Sequence, residues 1–308
     1  MKNPPPLKAW LRFFRWKNLS IVALSMYLLR WLVLFPVLEK EAVAFYLSEI
    51  QFAGLVLATV LVTLGGYVIN DYHDVEIDLI NKKKRTFIGR YLSRKAAFQI
   101  FLFSQIFGFF LAFFIAYFSK HLPWIWLYPA SVAALWLYAA ELKKRPLLGN
   151  LWVALFTAGV PLLVLFAERE SLAAISSESR HKLLFIFYFY ALFAFLTNWY
   201  REIIKDLEDF KGDFQQGLRT MPIAWGKKIS HYFLYFISLL VFLNLMYFFQ
   251  YFQHFELWFM GTLGVFLPLI YNLYFLHFRA KKASDYHHLS NITKIIMLVG
   301  LLLLLALR

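Results

Sequence analysis

Asp71, Asp74 and Asp78 are spaced i, i+3, i+7, and Glu202, Asp206, Asp209 and Asp213 are spaced i, i+4, i+7, i+11. At about 100° per residue, each set falls within roughly 60° of one helix face, which Glu76 and Glu208 do not share. Carboxylates stacked along one face repel by ~0.2–0.5 kcal/mol per neighbouring pair. A hard divalent cation resolves that repulsion. Mg²⁺ takes oxygen ligands, keeps several waters and bridges carboxylates to phosphate oxygens. Basic residues flank both sets: Lys82, Lys83, Lys84, Arg85 and Arg90 after the first, and Arg201, Lys205 and Lys211 within the second. Such cations grip phosphate oxygens and stabilise a leaving diphosphate. The two windows, NDYHDVEID and REIIKDLEDFKGD, therefore read as a Mg²⁺–diphosphate site. The chain has no cysteine and its histidines are scattered, which argues against zinc or copper. A single acidic helix end is commonly just a solvated surface. Two such ends beside long apolar runs are not, because carboxylates in that setting are costly.

The elements that carry these windows are apolar helices. The 308 residues are 61% hydrophobic and 20% aromatic, with a net charge of +14. Runs of about 20 apolar residues predict spans near 19–37, 43–70, 96–118, 122–140, 149–167, 182–205, 232–250, 255–277 and 290–307. Helices are the only plausible spanning form, since lipid offers no partner to an unpaired backbone group. The fold class is thus all-α, a polytopic membrane protein read as one domain over 1–308. Residues 1–18 form a basic, aromatic segment expected to lie at the interface, with no signal-peptide pattern. About 24 of the 32 Lys and Arg fall on the side of the N-terminus. The positive-inside rule then puts the N-terminus and both acidic windows in the cytoplasm and the C-terminus outside. Short basic loops beside spans point to membrane lipids and an anionic substrate as partners, and away from nucleic acid.

NDYHDVEID followed by NKKKRTFIGRYLS resembles the first aspartate-rich motif of the UbiA superfamily of intramembrane prenyltransferases, and REIIKDLEDFKGDFQQGLRTMP resembles its second. YAAELKKRPLLGN, Tyr138 to Asn150, is similar to the family's Tyr/Lys turn, and Asn18 in RWKNLS matches the Asn of its first span. Asn81 to Thr86 keeps the Asn and Arg of the family's NxPxRP-like stretch but lacks both prolines. The resemblance implies nine transmembrane helices around a central cavity. It implies that Asn70, Asp71, Asp74 and Asp78, with Asp206, Asp209 and Asp213, hold two Mg²⁺ ions and the diphosphate of a prenyl donor. Asn18, Asn70, Arg85, Lys143, Lys144, Arg201 and Lys205 would contact the diphosphate, and Tyr138 would line the site near the departing oxygen. Asp71, Asp74, Asp206, Asp209 and Tyr138 are the expected catalytic set. The second motif is closest to the digeranylgeranylglyceryl phosphate synthase-like branch, which implies geranylgeranyl transfer to a glycerol phosphate ether lipid. An aromatic acceptor of quinone biosynthesis is the alternative, and a transporter using intramembrane carboxylates is the alternative from another class.

Four further features are expected to be structural. His73 reads as a packing residue beside the ligand face. Arg30, deep in the first span, is expected to snorkel or pair locally. Lys294 is expected at the start of a last span capped by Ser290 or Asn291. Asp285, Tyr286, His287 and His288 are expected in a solvated loop.

Overall fold

The computed structural model describes residues 5–76 and 86–307. Among them the named elements are all helices, and nine are long and apolar enough to cross a membrane. A short helix, α1 (Leu7–Phe13), precedes them. The nine are α2 (Trp16–Lys40), α3 (Glu49–His73), α4 (Arg94–Phe118), α5 (Leu122–Lys144), α6 (Leu148–Ala167), α7 (Ser177–Gln215), α8 (Lys227–Phe252), α9 (Phe255–Phe278) and α10 (Ala283–Leu307). All nine expected spans are present. Their starts carry sequence-encoded caps. Ser48 and Gln51 form a reciprocal capping box on α3, Ser93 accepts from Ala96 N–H at the start of α4, and Ser176 accepts from Ser179 N–H on α7.

Among the boundaries that differ from expectation, three have a clear local reason. α7 does not stop near 205 but continues to Gln215, 39 residues in all. At 1.5 Å per residue it runs roughly 58 Å, about twice the hydrocarbon thickness of a bilayer. The second acidic window therefore lies on the same rigid helix as the apolar run before it. α3 ends at His73, with Asp74 as its C-cap at φ −92° and ψ 4°. The one-face stripe expected for the first window is thus interrupted at its second aspartate. α10 begins at Ala283 rather than near 290. Ser290 and Asn291 are interior to it and cap nothing. Asp285 instead accepts from the N–H groups of Lys281 and Lys282 at 3.0 and 2.9 Å, which draws the polar run DYHH into the first turns of the helix. Lys294 is consequently mid-helix, its ammonium donating to Asn291 Oδ1 at 3.3 Å.

The chain divides into two compact units, residues 1–24 with 47–143, and residues 25–46 with 144–308. In the first, α3 and α4 pack most extensively, with α5 against both. Gln105 Nε2 donates to the Leu61 carbonyl at 3.1 Å, and the Tyr128 hydroxyl donates to Gln105 Oε1 at 3.3 Å. Glycines make room for this buried polar chain. A Cβ on Gly65 would meet Gln105 Nε2 at 1.8 Å, and one on Gly108 would meet the Tyr128 hydroxyl at 1.8 Å. We expect Gly108→Val to lower stability by about 1–3 kcal/mol through overpacking. Thermal unfolding in detergent measures it, and an unchanged midpoint contradicts the account. α1 docks through Phe13, which stacks on Phe87 at 4.6 Å, while Leu7 and Leu11 stay exposed.

The second unit is built on α7, which packs against α6, α8 and α10. Close approach is again made by glycine: Gly300 lies under the Phe193 ring, 2.2 Å from where its Cβ would be. Arg30 sits in a π-helical turn (Leu29–Leu34) and is fully buried. It neither snorkels nor pairs locally. It forms an ion pair with the equally buried Glu168, 138 residues away, and its guanidinium lies 3.9 Å from the centre of the Phe45 ring. Glu168 also accepts from Tyr46 N–H at 2.8 Å. Nearby, the Ser176 hydroxyl donates to Glu41 at 2.6 Å, with further bonds from Ser179 and from Ser176 N–H, and these hold the Glu41 carboxyl below its ordinary range.

Candidate active site

Each unit carries one carboxylate window with its own basic partners. In the first unit, Asp71 is on the last turn of α3 and pairs with Arg15. Arg15 lies at the break between α1 and α2 with φ 51°. Its guanidinium also lies 4.5 Å from the centre of the Tyr67 ring, and the Tyr67 hydroxyl accepts from Asn18 Nδ2 at 3.3 Å. Asn18, Tyr67, Arg15 and Asp71 thus form one connected polar group. Asp74 pairs with Lys143 at the end of α5 and accepts from Asn70 Nδ2 at 2.9 Å. Lys143 and Asp74 are both largely sequestered, with side-chain exposures of 11% and 17%. Tyr138, one turn and a half before Lys143 on α5, packs against the apolar cluster around Val68, Ile69 and Phe13. Asp78 and Arg85 lie outside the described residues.

Two nearby groups face elsewhere. Glu76 pairs with Arg94 at 3.5 Å across an exposed surface, and the His73 ring meets Trp136 edge-on at 5.7 Å. His73 is thus packed against an aromatic ring.

In the second unit the window is helical throughout, so Glu202, Asp206, Asp209 and Asp213 do share a face of α7. Asp206 accepts from Asn150 Nδ2 of α6 at 2.9 Å. Buried Glu202 holds two cations, Arg201 at 2.9 Å and Lys205 at 3.0 Å. Asp213 is buried and Asp209 partly so. Glu208 turns away and pairs with His287 Nδ1 at 3.0 Å. His288 meets the Tyr271 hydroxyl at 3.0 Å, so the 285–288 run is helical and engaged in packing rather than a loop. Lys144 carries a backbone carbonyl that accepts from Arg219 N–H at 3.2 Å, tying the turn after α5 to the segment after α7.

Two residues in these groups escape a reading of sequence spacing. Arg15 is signalled only by its position three residues before Asn18. Asn150 ends the Tyr/Lys turn but carries no charge to draw notice. Glu202 is on the ligand face by spacing, yet its role is to gather Arg201 and Lys205 beside the aspartates. The carboxylates and the Asn70 amide offer oxygen donors, the kind Mg²⁺ prefers. Among the described residues no three His, Asp or Glu side chains gather closely enough to hold an ion by themselves.

The sequence matches the UbiA prenyltransferase family over residues 33–292. It is 37% identical over 192 residues to the digeranylgeranylglyceryl phosphate synthase of Thermococcus kodakarensis, a match covering 60% of this chain and 61% of that one. The fold is similar to a chain solved in a study of digeranylgeranylglyceryl phosphate synthase in membranes, with TM-score 0.60, 25% identity and coverage of 97% of this chain and 96% of the other. It is also similar to a UbiA homologue from Archaeoglobus fulgidus solved with DMAPP and Mg²⁺, with TM-score 0.53, 16% identity and coverage of 96% and 98%. With the family pattern covering most of its length and both aspartate windows in place, the chain belongs to the UbiA prenyltransferase family.

Proposed function

We propose that the chain, acting as a single unit over 1–308, transfers a prenyl group from an allylic diphosphate to a lipid acceptor. Geranylgeranyl is the favoured donor group and geranylgeranylglyceryl phosphate the favoured acceptor. The observation that carries this reading is the pair of carboxylate windows, each built with its own buried or half-buried cations, in a chain whose curated relatives are named digeranylgeranylglyceryl phosphate synthase. Asn70, Asp71, Asp74 and Asp78, with Asp206, Asp209 and Asp213, would hold Mg²⁺; a homologue of similar fold from Archaeoglobus fulgidus was solved with Mg²⁺ and DMAPP. Bound Mg²⁺ neutralises negative charge on the departing diphosphate.

The residues of the chain do the rest. Arg15 and Lys143 fix Asp71 and Asp74 in direction, as outer partners of ligating carboxylates do. Asn150 does the same for Asp206. Lys143, Lys144, Arg201, Lys205 and Arg85 would contact the diphosphate, with Asn18 holding Tyr67 beneath Arg15 and Tyr138 beside the departing oxygen. The C1–O bond of the donor breaks and its electron pair leaves with diphosphate. The allylic carbon then bonds to the acceptor hydroxyl oxygen, whose proton is lost to a carboxylate or to the released diphosphate. The windows face the cytoplasm, on the side with most of the Lys and Arg.

A donor-by-acceptor screen by mass spectrometry tests this. Geranylgeranyl diphosphate with the glyceryl ether phosphate is expected to give product in Mg²⁺, and chelation is expected to abolish it. Product only with 4-hydroxybenzoate or a naphthoate would move the acceptor to the aromatic class. Turnover unchanged by chelation would remove the metal from the reaction.

A further inference from the structure

α8 and α9 leave a half-open cleft of about 240 Å³ between them. Leu239 and Phe242 of α8 and Phe266 and Ile270 of α9 make its walls. Leu239 and Ile270 are 53% and 60% exposed, and on membrane spans such exposure is to hydrocarbon. The polar atoms at the cleft are already committed. The Ser238 hydroxyl donates to the Leu234 carbonyl at 2.8 Å, and the Tyr235 hydroxyl meets His277 Nδ1 at 3.1 Å.

The Tyr235–His277 contact marks the polar end. Arg279, Lys281 and Lys282 follow His277 within five residues, and Lys227 and Lys228 stand about two turns before Tyr235 at the start of α8. All five are exposed. The nearby carboxylate, Asp285, is occupied by the backbone N–H groups of Lys281 and Lys282. An apolar slot open to the bilayer thus ends in a collar of fixed positive charge.

We propose that this cleft and collar bind one anionic phospholipid of the bilayer. A hydrocarbon chain lies between α8 and α9, and the phosphate rests among Arg279, Lys281 and Lys282. Juxtamembrane Lys and Arg attract anionic headgroups in this way. A bilayer lipid suits the cleft better than a reactant, because it opens sideways and no wall residue belongs to either carboxylate window. A second copy of this chain suits it poorly, because pairing would bring two basic collars together.

Native mass spectrometry of the full chain tests this, in micelles with equal amounts of phosphatidylglycerol and phosphatidylcholine of identical chains. The wild type is expected to retain phosphatidylglycerol about tenfold over phosphatidylcholine. Arg279→Gln/Lys281→Gln/Lys282→Gln is expected to bring that ratio near one. These changes leave the Asp285 cap intact, since its donors are backbone groups. Ile270→Trp is expected to remove the bound lipid whatever its headgroup, and Leu239→Trp fills the same cleft from the other helix as an independent check on folding. Equal retention of both lipids by the wild type, or undiminished retention in the collar variant or in both cleft variants, overturns the proposal. A dimer that the cleft variants abolish also overturns it and gives the cleft to a second copy.

Discussion

Asp71→Ala and Asp206→Ala are each expected to lower kcat/KM for prenyl transfer by at least about 10²–10³, the usual effect of removing one group that stabilises developing charge. Each is expected to keep the elution volume and unfolding midpoint of the wild type. The two residues belong to different compact units and different helices, α3 and α7. If the windows acted separately, one of them would tolerate loss. Loss at both is what a shared metal–diphosphate function requires. The neighbours give a graded control. Asn150→Ala removes the amide that donates to Asp206 at 2.9 Å but leaves the carboxylate. It is expected to reduce activity by about 10–100-fold, with the Mg²⁺ needed for half-maximal rate raised. A purely structural role for Asn150 would lower the unfolding midpoint without moving the Mg²⁺ dependence. Glu76→Ala and Glu208→Ala, whose carboxylates face Arg94 and His287, are expected to leave the rate near wild type. Wild-type turnover in Asp206→Ala would falsify the assignment of the second window.

The nine spans were legible because their signal is local: a run of about 20 apolar residues between basic or polar turns. The shared face of Asp206, Asp209 and Asp213 was legible for the same reason, since α7 is one uninterrupted helix and spacing translates directly into angle. The first window followed spacing less well. α3 gives out at His73, where Asp74 takes the C-cap conformation, and periodicity does not reveal where hydrogen bonding stops. The start of α10 was misplaced because a polar run is a poor hydropathy signal, while the real signal is Asp285 bonding back to Lys281 and Lys282. The partners of the aspartates were the least legible. Arg15 and Lys143 lie 56 and 69 residues from Asp71 and Asp74. Charge alone says that each aspartate needs a cation, and only the packing of helices says which one.

Arg30→Met is expected to cost about 3–5 kcal/mol, because it leaves the Glu168 carboxylate buried without its counter-charge. Both side chains have zero exposure, so water cannot take over the role of the lost partner. The change also removes the guanidinium from the face of Phe45. A thermal shift of roughly 5–15 °C in detergent corresponds to that loss in a chain of this size. The double variant Arg30→Met/Glu168→Gln is expected to recover most of it. Gln removes the stranded charge, and its carbonyl oxygen still accepts from Tyr46 N–H, so no backbone donor is orphaned. The cycle separates two views of the pair. If attraction between the charges is the main source of stability, the double variant is as unstable as Arg30→Met. If the main effect is the penalty of leaving one charge alone, the double variant sits close to the wild type. The second outcome is expected, because taking two ions out of the solvent offsets most of their mutual attraction. Neither residue belongs to a carboxylate window. The double variant should therefore keep its Mg²⁺ dependence while the unfolding midpoint alone reports on the pair.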